Sequence, residues 1–262
     1  MLTDELMAYT CGFFVNDNTT LNEAQYNKVN TIIKKLNPEK NKKILDIGCG
    51  WGRIANYVSQ KTECKAYGVT VSDEQANYIT NNYKNVEVIK KDYRLVQGEY
   101  DYMYSIGFFE HVRYENYDDF FRMIKRCLKP NGRLLIHCII TNEVNDPKKA
   151  IDTFLYKHIF PGAQIPNHHW ITQKIFDHGL NLIHYEYFGG QHYAKTLNLW
   201  RQNIYKNKDY ILQKYSNKIF LQFEYYLTIC EAIFLSGTMG ICHFLITNDP
   251  INSFNNSFIY LE

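Results

Sequence analysis

The sequence lacks several features that would mark a secreted, membrane-spanning or zinc-binding protein. Its seven cysteines are odd in number and scattered, with no Cys-x-x-Cys pair, which argues against a disulfide framework or a zinc cage and favours a reducing compartment. No basic segment followed by an apolar one opens the chain, and the longest apolar stretch, residues 232–246, is interrupted by Ser, Gly, Thr and His. We therefore expect neither a signal peptide nor a transmembrane helix, and any membrane contact to be peripheral.

A strong excess of one charge is also missing. The 29 Lys and Arg residues against 27 Asp and Glu residues leave a formal charge of +2, which does not predict a nucleic-acid-binding protein. With 45% hydrophobic and 21% charged residues, the composition is typical of a globular protein. Without a repeat or a low-complexity linker, we predict a single domain over residues 1–262.

Short β-rich runs alternate with helix-like stretches between residues 43 and 138, a pattern typical of a parallel sheet covered by helices. The runs are residues 43–46, 66–71, 86–90, 100–105 and 133–138.

Three helices have recognisable ends. Thr20 with Glu23, and Ser72 with Gln75, form the Ser/Thr-x-x-Glu/Gln pattern of a helix start, and they predict helices that end near residues 37 and 83. A third helix, over residues 116–128, is predicted to stop at Lys-Pro-Asn-Gly, residues 129–132. We interpret the apolar stripe of the first helix as packing against the sheet.

The most informative motif is Ile-Leu-Asp-Ile-Gly-Cys-Gly-Trp-Gly over residues 44–52, where a strand leads into three glycines and then a helix. Such a loop brings the backbone close to a ligand, and suits a dinucleotide or S-adenosylmethionine. A dinucleotide site favours an acidic residue after the second strand, whereas this strand ends in Gly-Val-Thr-Val-Ser, residues 68–72. Asp46 could contact the ligand or could accept hydrogen bonds from the backbone of the turn itself. Asp-Tyr-Arg at 92–94 could hold an adenine or could simply be the polar end of a strand.

Further motifs carry a family resemblance. They are Ser-Ile-Gly-Phe-Phe-Glu-His-Val at 105–112, Leu-Lys-Pro-Asn-Gly-Arg-Leu-Leu-Ile-His at 128–137, Ile-Phe-Pro-Gly at 159–162, His-Tyr-Ala-Lys-Thr-Leu-Asn-Leu-Trp at 192–200 and Tyr-Leu-Thr-Ile-Cys-Glu at 226–231. Together with the glycine-rich loop, these motifs resemble the cyclopropane-fatty-acid synthase family, in the family's order, from Tyr9 to about Ile246. The pattern is shared with mycolic-acid-modifying synthases and with a plant branch of N-methyltransferases.

The resemblance implies a Rossmann-like class I methyltransferase of α/β type. Its sheet would be mostly parallel and seven-stranded, with helices on both faces, an antiparallel C-terminal strand and a helical insertion over the active site. Within the one domain, residues 1–40 would form an N-terminal helical lid and residues 41–140 the cofactor-binding core. Residues 141–180 and 190–240 would be helical segments that cover the substrate.

The resemblance also implies two sets of site residues. The S-adenosylmethionine site would comprise Tyr9, Thr10, Asp46, Gly48, Cys49, Gly50, Trp51, Gly52, Thr70, Gln75, Tyr93 and Arg94. A bound bicarbonate, the family's general base, would be held by the backbones of Cys11 and Ile139 and by the side chains of Glu110, His137 and Tyr193. No metal is implied. Cys230 matches a cysteine once proposed as a nucleophile, but we interpret it as a packing residue.

The activity implied is methylene addition across a cis double bond of an acyl chain in a phospholipid, by a cytoplasmic protein with possible contact at the inner membrane surface. The family's bacterial Phe-Arg-x-Arg stretch is replaced by Phe-Leu-Ser-Gly-Thr at 234–238, and few residues precede Tyr9, so we expect lipid docking to differ. The alternative is a coclaurine-type N-methyltransferase of a small amine, in which Glu110 and His111 would serve as general base or hydrogen-bonding pair. A binding module without turnover is a third hypothesis.

Overall fold

The computed structural model describes residues 2–143 and 154–249. The strands are β1 (Lys43–Ile47), β2 (Lys65–Thr70), β3 (Val86–Lys90), β4 (Tyr100–Ile106), β5 (Leu128–Thr141), β6 (Asn181–Tyr187) and β7 (Met239–Thr247). The helices are α1 (Leu21–Leu36), α2 (Arg53–Thr62), α3 (Asp73–Asn82), α4 (Tyr117–Cys127), α5 (His168–Asp177), α6 (Gln191–Lys206), α7 (Lys208–Lys214) and α8 (Asn217–Leu235).

All seven strands form one sheet in the order β3-β2-β1-β4-β5-β7-β6. The first five strands pair in parallel, and β7 runs antiparallel to both of its neighbours. This architecture confirms the predicted class I methyltransferase sheet. The strand order reverses at β1 and β4, so the ends of these two strands open a crevice at the edge where open α/β sheets bind ligands.

The sheet separates two apolar cores because successive side chains of a strand point to opposite faces. Ile44 and Leu135 pack on one face with α1, α2 and α3, whereas Leu45 and Leu134 pack on the other with α4 and α5. A third cluster lies among α6, α7 and α8 and includes Cys11 and Phe13 from the N-terminal segment.

The predicted helix ends agree with the structure. Thr20 and Glu23 form a reciprocal capping box at the start of α1, and Asn37 ends the helix in a left-handed conformation. Ser72 accepts the Gln75 N–H at the start of α3. The helix α4 ends before the predicted stop at 129–132, but the chain enters β5 immediately, so this strand begins earlier than the predicted residue 133.

The segments predicted to cover the site differ in structure. In the N-terminal lid predicted over residues 1–40, α1 is helical, but residues 2–20 are not. Helices α6, α7 and α8 lie within the region 190–240, whose last two residues belong to β7. A helical turn at Leu155–Ile159 belongs to the predicted segment 141–180, of which residues 144–153 lie outside the described residues. Within the described ranges, no helix has the length and apolar character needed to cross a membrane.

Candidate active site

A cavity of about 350 Å³ lies at the carboxyl ends of β1, β4 and β5. A volume of this size is typical of a small-molecule pocket. Its walls come from the N-terminal segment, the glycine-rich loop, the turn after β4, the turn at Leu155–Ile159, and helices α6 and α8. The cavity is lined mainly by apolar and aromatic side chains, among which a few polar groups converge.

The glycine-rich loop forms one wall of this cavity. Gly48 and Gly50 have φ of +82° and +53°, in the region that favours glycine. A Cβ on Gly48 would lie 2.4 Å from the Phe108 ring, whereas a Cβ on Gly50 would meet nothing within 4 Å. The loop is tied to the sheet by the Cys49 N–H, which donates to the Val69 carbonyl at 3.0 Å. Gly50 therefore leaves open space at the start of α2, where free backbone N–H groups favour polar ligands.

The structure brings most of the predicted cofactor residues to the cavity. Those in the lining are Tyr9, Thr10, Asp46, Gly48, Cys49, Gly50, Trp51 and Gln75. The other four, Gly52, Thr70, Tyr93 and Arg94, lie outside the lining. Thr70 donates to Gln75 Oε1 at 2.6 Å and so stands behind a lining residue, and Arg94 pairs with Asp92 at 2.7 Å.

Asp46, the last residue but one of β1, lines the cavity and feels the charge of a buried lysine that the sequence analysis missed. Burial raises the pKa of Asp46 to about 7, although Tyr104 and Lys28 act in the opposite direction. Lys28, from α1, is fully buried and donates to Thr10 Oγ1 at 2.7 Å, and burial lowers its pKa to about 8. The signal for Lys28 was its position within the apolar stripe of α1, since lysine is almost never fully buried without partners.

Glu110 lies in a short helical turn after β4 and is only 6% exposed. Its Oε1 accepts the Ile139 N–H at 2.7 Å, whereas Oε2 is buried without a hydrogen-bond partner among residues 2–143 and 154–249. Burial raises the pKa of Glu110 to about 7, against the effect of the Ile139 N–H. Because buried polar atoms in proteins are nearly always paired, this oxygen indicates a place for a ligand that donates a hydrogen bond.

His137, in β5, lines the cavity and belongs to a buried polar row. The register of β5 and β7 sets it opposite His243, and His137 Nδ1 lies 2.9 Å from His243 Nε2. Lys35 Nζ lies 2.9 Å from His243 Nδ1 and contacts Glu186 of β6. Burial and the nearby lysines hold the pKa of both histidines well below the usual value, so both rings are neutral.

The sequence analysis missed His243, Lys35 and Glu186. Lys35 follows Lys28 by seven residues on α1, so the two lysines share one face of the helix. Apart from the buried Gln25, the buried residues around Lys28 on this helix are apolar, so two lysines on it were a usable signal. No pattern in the sequence pointed to His243 or Glu186, because only the register of the sheet brings them beside His137.

The remaining predicted catalytic residues line the same cavity. Cys11 is fully buried, and burial raises the pKa of its thiol to about 12. Tyr193, at the start of α6, is 8% exposed, and burial raises the pKa of its phenol well above the usual value. Cys230 also faces the cavity, and burial raises its pKa to about 12, so it is a protonated thiol and a poor nucleophile.

The N-terminal segment closes the cavity over the glycine-rich loop. It is held at several points, because Gln25 Nε2 donates to the Thr10 carbonyl at 2.8 Å, the Gly12 N–H donates to Thr196 Oγ1 at 3.0 Å and Arg53 donates to the Glu5 carbonyl at 2.7 Å. These contacts join α1, α2 and α6 to one strap of backbone. The cavity therefore depends on parts of the chain far apart in sequence.

Comparison with known proteins identifies the family. The family model of mycolic acid cyclopropane synthetase matches residues 1–244. The chain belongs to this family. It is 32% identical over 235 residues to the cyclopropane-fatty-acyl-phospholipid synthase of Escherichia coli (strain K12), with 89% of this chain and 60% of that protein covered. This chain thus spans about 60% of the length of that curated relative.

Solved structures agree with the family assignment. The mycolic acid cyclopropane synthase CmaA1, in complex with SAH and CTAB, matches with a TM-score of 0.86 and 28% identity, over 94% of this chain and 92% of that one. Coclaurine N-methyltransferase matches with a TM-score of 0.79, over 94% of this chain and 80% of that one, at 23% identity, which bears on the fold alone. The family and the fold are those of S-adenosylmethionine-dependent methyltransferases, as the sequence predicted.

Proposed function

We propose that this protein transfers the methyl group of S-adenosylmethionine to a cis double bond of an unsaturated acyl chain in a phospholipid, adding a methylene. The observation that carries the proposal is the buried Glu110 carboxylate, which faces a largely apolar cavity beside a glycine-rich loop. Dinucleotide sites share the loop but give no reason for such a carboxylate in an apolar chamber. Membership of the cyclopropane synthetase family supports the same conclusion.

The residues present fit the cofactor. Gly50 leaves room for a ligand against the backbone, and Trp51 and Gln75 offer a ring and a polar side chain at the same wall. We therefore assign the lining residues of the predicted cofactor set to its binding. When bound, S-adenosylmethionine supplies an electrophilic methyl group on a sulfonium ion.

The acceptor side suits a weak nucleophile. An alkene gains little from proton transfer before it reacts, so the protein has to align it and exclude water. Leu155, Phe160, Ile165, Ile233 and Phe234 line this side of the cavity and would surround an acyl chain. The rings of Tyr156 and Tyr193, which line the same cavity, would also stabilise the positive charge that develops on the chain, because aromatic faces attract cations.

The polar groups fit a bicarbonate ion. Glu110 Oε2 can accept a hydrogen bond from the protonated oxygen of the ion, while Glu110 Oε1 is fixed by Ile139. His137 and Tyr193 can donate to the ion's other oxygens. Bound there, bicarbonate would supply the base that takes a proton from the added methyl. Because the Ile139 N–H is already engaged by Glu110, we assign Ile139 to orienting the carboxylate rather than to holding the ion directly.

One observation favours a second candidate, the methylation of a small amine. His111 adjoins Glu110, lines the same cavity, and has a pKa lowered by burial, so its neutral imidazole could remove a proton from an amine. An amine needs no apolar chamber of this kind, and for that reason the acyl chain is the preferred acceptor.

A labelling experiment tests the proposal. The purified protein is incubated with methyl-labelled S-adenosylmethionine and vesicles of cis-unsaturated phospholipid, and the released acyl chains are analysed by gas chromatography and mass spectrometry. We expect labelled chains that are heavier by one methylene and resist hydrogenation. Vesicles of a saturated phospholipid with the same headgroup are the matched control and should take up no label.

A parallel reaction with a panel of small amines separates the alternatives. Label on an amine, with unlabelled acyl chains, would overturn the proposal in favour of N-methylation. Cofactor binding measured by calorimetry, without transfer to either substrate class, would indicate a binding module instead.

A further inference from the structure

The row of side chains behind His137 has a fixed hydrogen-bond direction. It runs from Glu186 on β6 to Lys35 on α1, then to His243 on β7 and His137 on β5. The β-sheet register sets His137, His243 and Glu186 side by side on adjacent strands, and Lys35 lies across them. The row therefore connects the cavity wall with a carboxylate whose side chain is 42% exposed.

The chemistry of Lys35 sets this direction. A lysine ammonium only donates hydrogen bonds, so His243 Nδ1 must accept from Lys35 Nζ at 2.9 Å. A neutral imidazole carries one proton, which then sits on His243 Nε2 and is donated to His137 Nδ1 at 2.9 Å. His137 in turn keeps its own proton on Nε2, the ring nitrogen left for the cavity.

The surroundings keep the lysine charged and the rings neutral. The Glu186 carboxylate contacts Lys35 and stabilises its ammonium form, although burial lowers the pKa of Lys35. The His243 ring is covered by Phe13 and Phe188, with ring centroids 5.5 Å and 4.7 Å away, and both imidazoles of the row are buried from water. Besides the members of the row, the charged or titratable groups that act on it are Lys28 and His184, and neither is a hydrogen-bond partner of the two rings in the described part of the chain.

We propose that Lys35, acting through His243, is a positioning residue that fixes the tautomer of His137, so that His137 presents an N–H donor to the cavity. The position beside His137 would then select a hydrogen-bond acceptor, such as an oxygen of an anionic base, and reject a donor. This inference rests on the proposed function for its catalytic consequence, but the tautomer is a property of the protein alone.

Nitrogen-15 NMR of the histidine side chains tests the tautomer directly. In the unsubstituted protein at neutral pH, we expect His137 and His243 to be neutral rings with the proton on Nε2. The variant Lys35→Glu/Glu186→Lys keeps an ion pair but replaces the donor at His243 Nδ1 with an acceptor. We expect both rings to reverse, with the proton on Nδ1. Lys61→Met, which removes an exposed lysine at the end of α2, should leave both signals unchanged.

Two results would overturn the inference: a proton on His137 Nδ1 in the unsubstituted protein, or unchanged tautomers in the charge-swapped variant. If that variant does not fold, Lys35→Met serves instead, and it should leave His137 in a mixture of tautomers, whereas Lys35→Arg should restore the Nε2 proton. A single fixed tautomer in Lys35→Met would contradict the inference.

Turnover gives a second readout. The charge-swapped variant should lose methyl transfer by about 10- to 100-fold, as when the partner that orients a functional histidine is removed, with unchanged affinity for S-adenosylmethionine. Reversed tautomers with unaltered turnover would overturn the positioning role. Fixed tautomers as expected, in a protein that transfers no methyl group to lipid, would instead refute the proposed function and leave the tautomer assignment standing.

Discussion

The two walls of the cavity are built in different ways. The wall at β1 is a single short stretch in which Gly48 and Gly50 present backbone to the cavity. The wall at β4, β5 and β7 presents Glu110 and His137, whose partners come from segments about 30 to 100 residues away in sequence. The first wall suits a cofactor that is bound through backbone shape. The second suits chemistry that depends on the charge and proton position of a few buried side chains.

This difference separates binding from turnover. Substitutions in the loop should weaken cofactor binding, and substitutions in the polar wall should slow transfer without weakening it. Each of the following experiments tests whether the two walls act independently.

The largest effect is expected from Glu110→Gln. The amide keeps an oxygen for the Ile139 N–H but loses the negative charge that faces the cavity. We expect methyl transfer to fall by about 10²- to 10⁴-fold, because the bicarbonate base that Glu110 would hold is lost with the carboxylate, while the dissociation constant for S-adenosylmethionine stays within about twofold. Steady-state kinetics and calorimetry measure the two quantities. Glu115→Gln, at an exposed ion pair with Arg113, is the control. Equal losses of transfer rate and cofactor affinity in Glu110→Gln would contradict the division of the two functions between the walls.

The same variant should change the pH dependence of stability. The pKa of Glu110 in the folded protein, about 7, exceeds its ordinary value of 4.5. Between these two pH values the folded protein holds a proton that the unfolded chain has lost, so the free energy of unfolding falls as the pH rises. Glu110→Gln has no proton to release there. We therefore expect its free energy of unfolding to rise by about 3 kcal/mol relative to that of the unsubstituted protein as the pH goes from 4.5 to 8. Urea unfolding in bicarbonate-free buffer measures the difference, and a pH-independent difference would contradict the assignment.

A smaller effect is expected from Gly50→Ala. A Cβ at this position meets no protein atom within 4 Å, so the methyl group would occupy open space beside the backbone of the loop. We expect affinity for S-adenosylmethionine to fall about tenfold, or roughly 1.4 kcal/mol. Gly237→Ala is a matched control, because this glycine also has a positive φ, of +77°, and open space at its Cβ. If both variants bind the cofactor equally well, the loop is not the binding wall.

The smallest effect is expected from Arg94→Ala. Its guanidinium is bound to Asp92, lies outside the cavity lining and is half exposed, so its removal should weaken cofactor affinity by less than about threefold. Calorimetry again measures the affinity. A loss comparable with that of Gly50→Ala would mean that the cofactor site extends beyond the present lining to the end of β3.

The fold was accessible from the sequence to a large extent. Each of the five predicted runs is a strand, and α1 and α3 begin at their predicted caps, because strand periodicity and capping chemistry are local. The start of β5 was wrong because Leu128 already pairs with Tyr100 of β4, so the stretch with Asn131, at φ of +62°, is an irregularity within the strand and not a stop before it. The N-terminal segment, residues 2–20, was expected to be helical. Its backbone is held instead by side chains such as Gln25 and Thr196, and no local sequence pattern reveals these contacts.

Site residues could be predicted only where they lie in a recognisable sequence motif. Glu110, His137 and Tyr193 were found through the family resemblance, and they line one cavity. His243 was missed, since its place beside His137 follows from the pairing of β5 with β7 across more than 100 residues of chain. Lys35 was missed because a lysine on a helix usually reaches solvent, and only the packed structure turns it toward a buried ring.

The most direct test of the account compares methyl transfer in one turnover for Gly50→Ala and Glu110→Gln, with cis-unsaturated vesicles and increasing S-adenosylmethionine. The account predicts that Gly50→Ala approaches the rate of the unsubstituted protein as the cofactor saturates, whereas Glu110→Gln stays at least about 100-fold slower at every concentration. If excess cofactor restores Glu110→Gln, or fails to restore Gly50→Ala, then binding and transfer are not divided between the two walls.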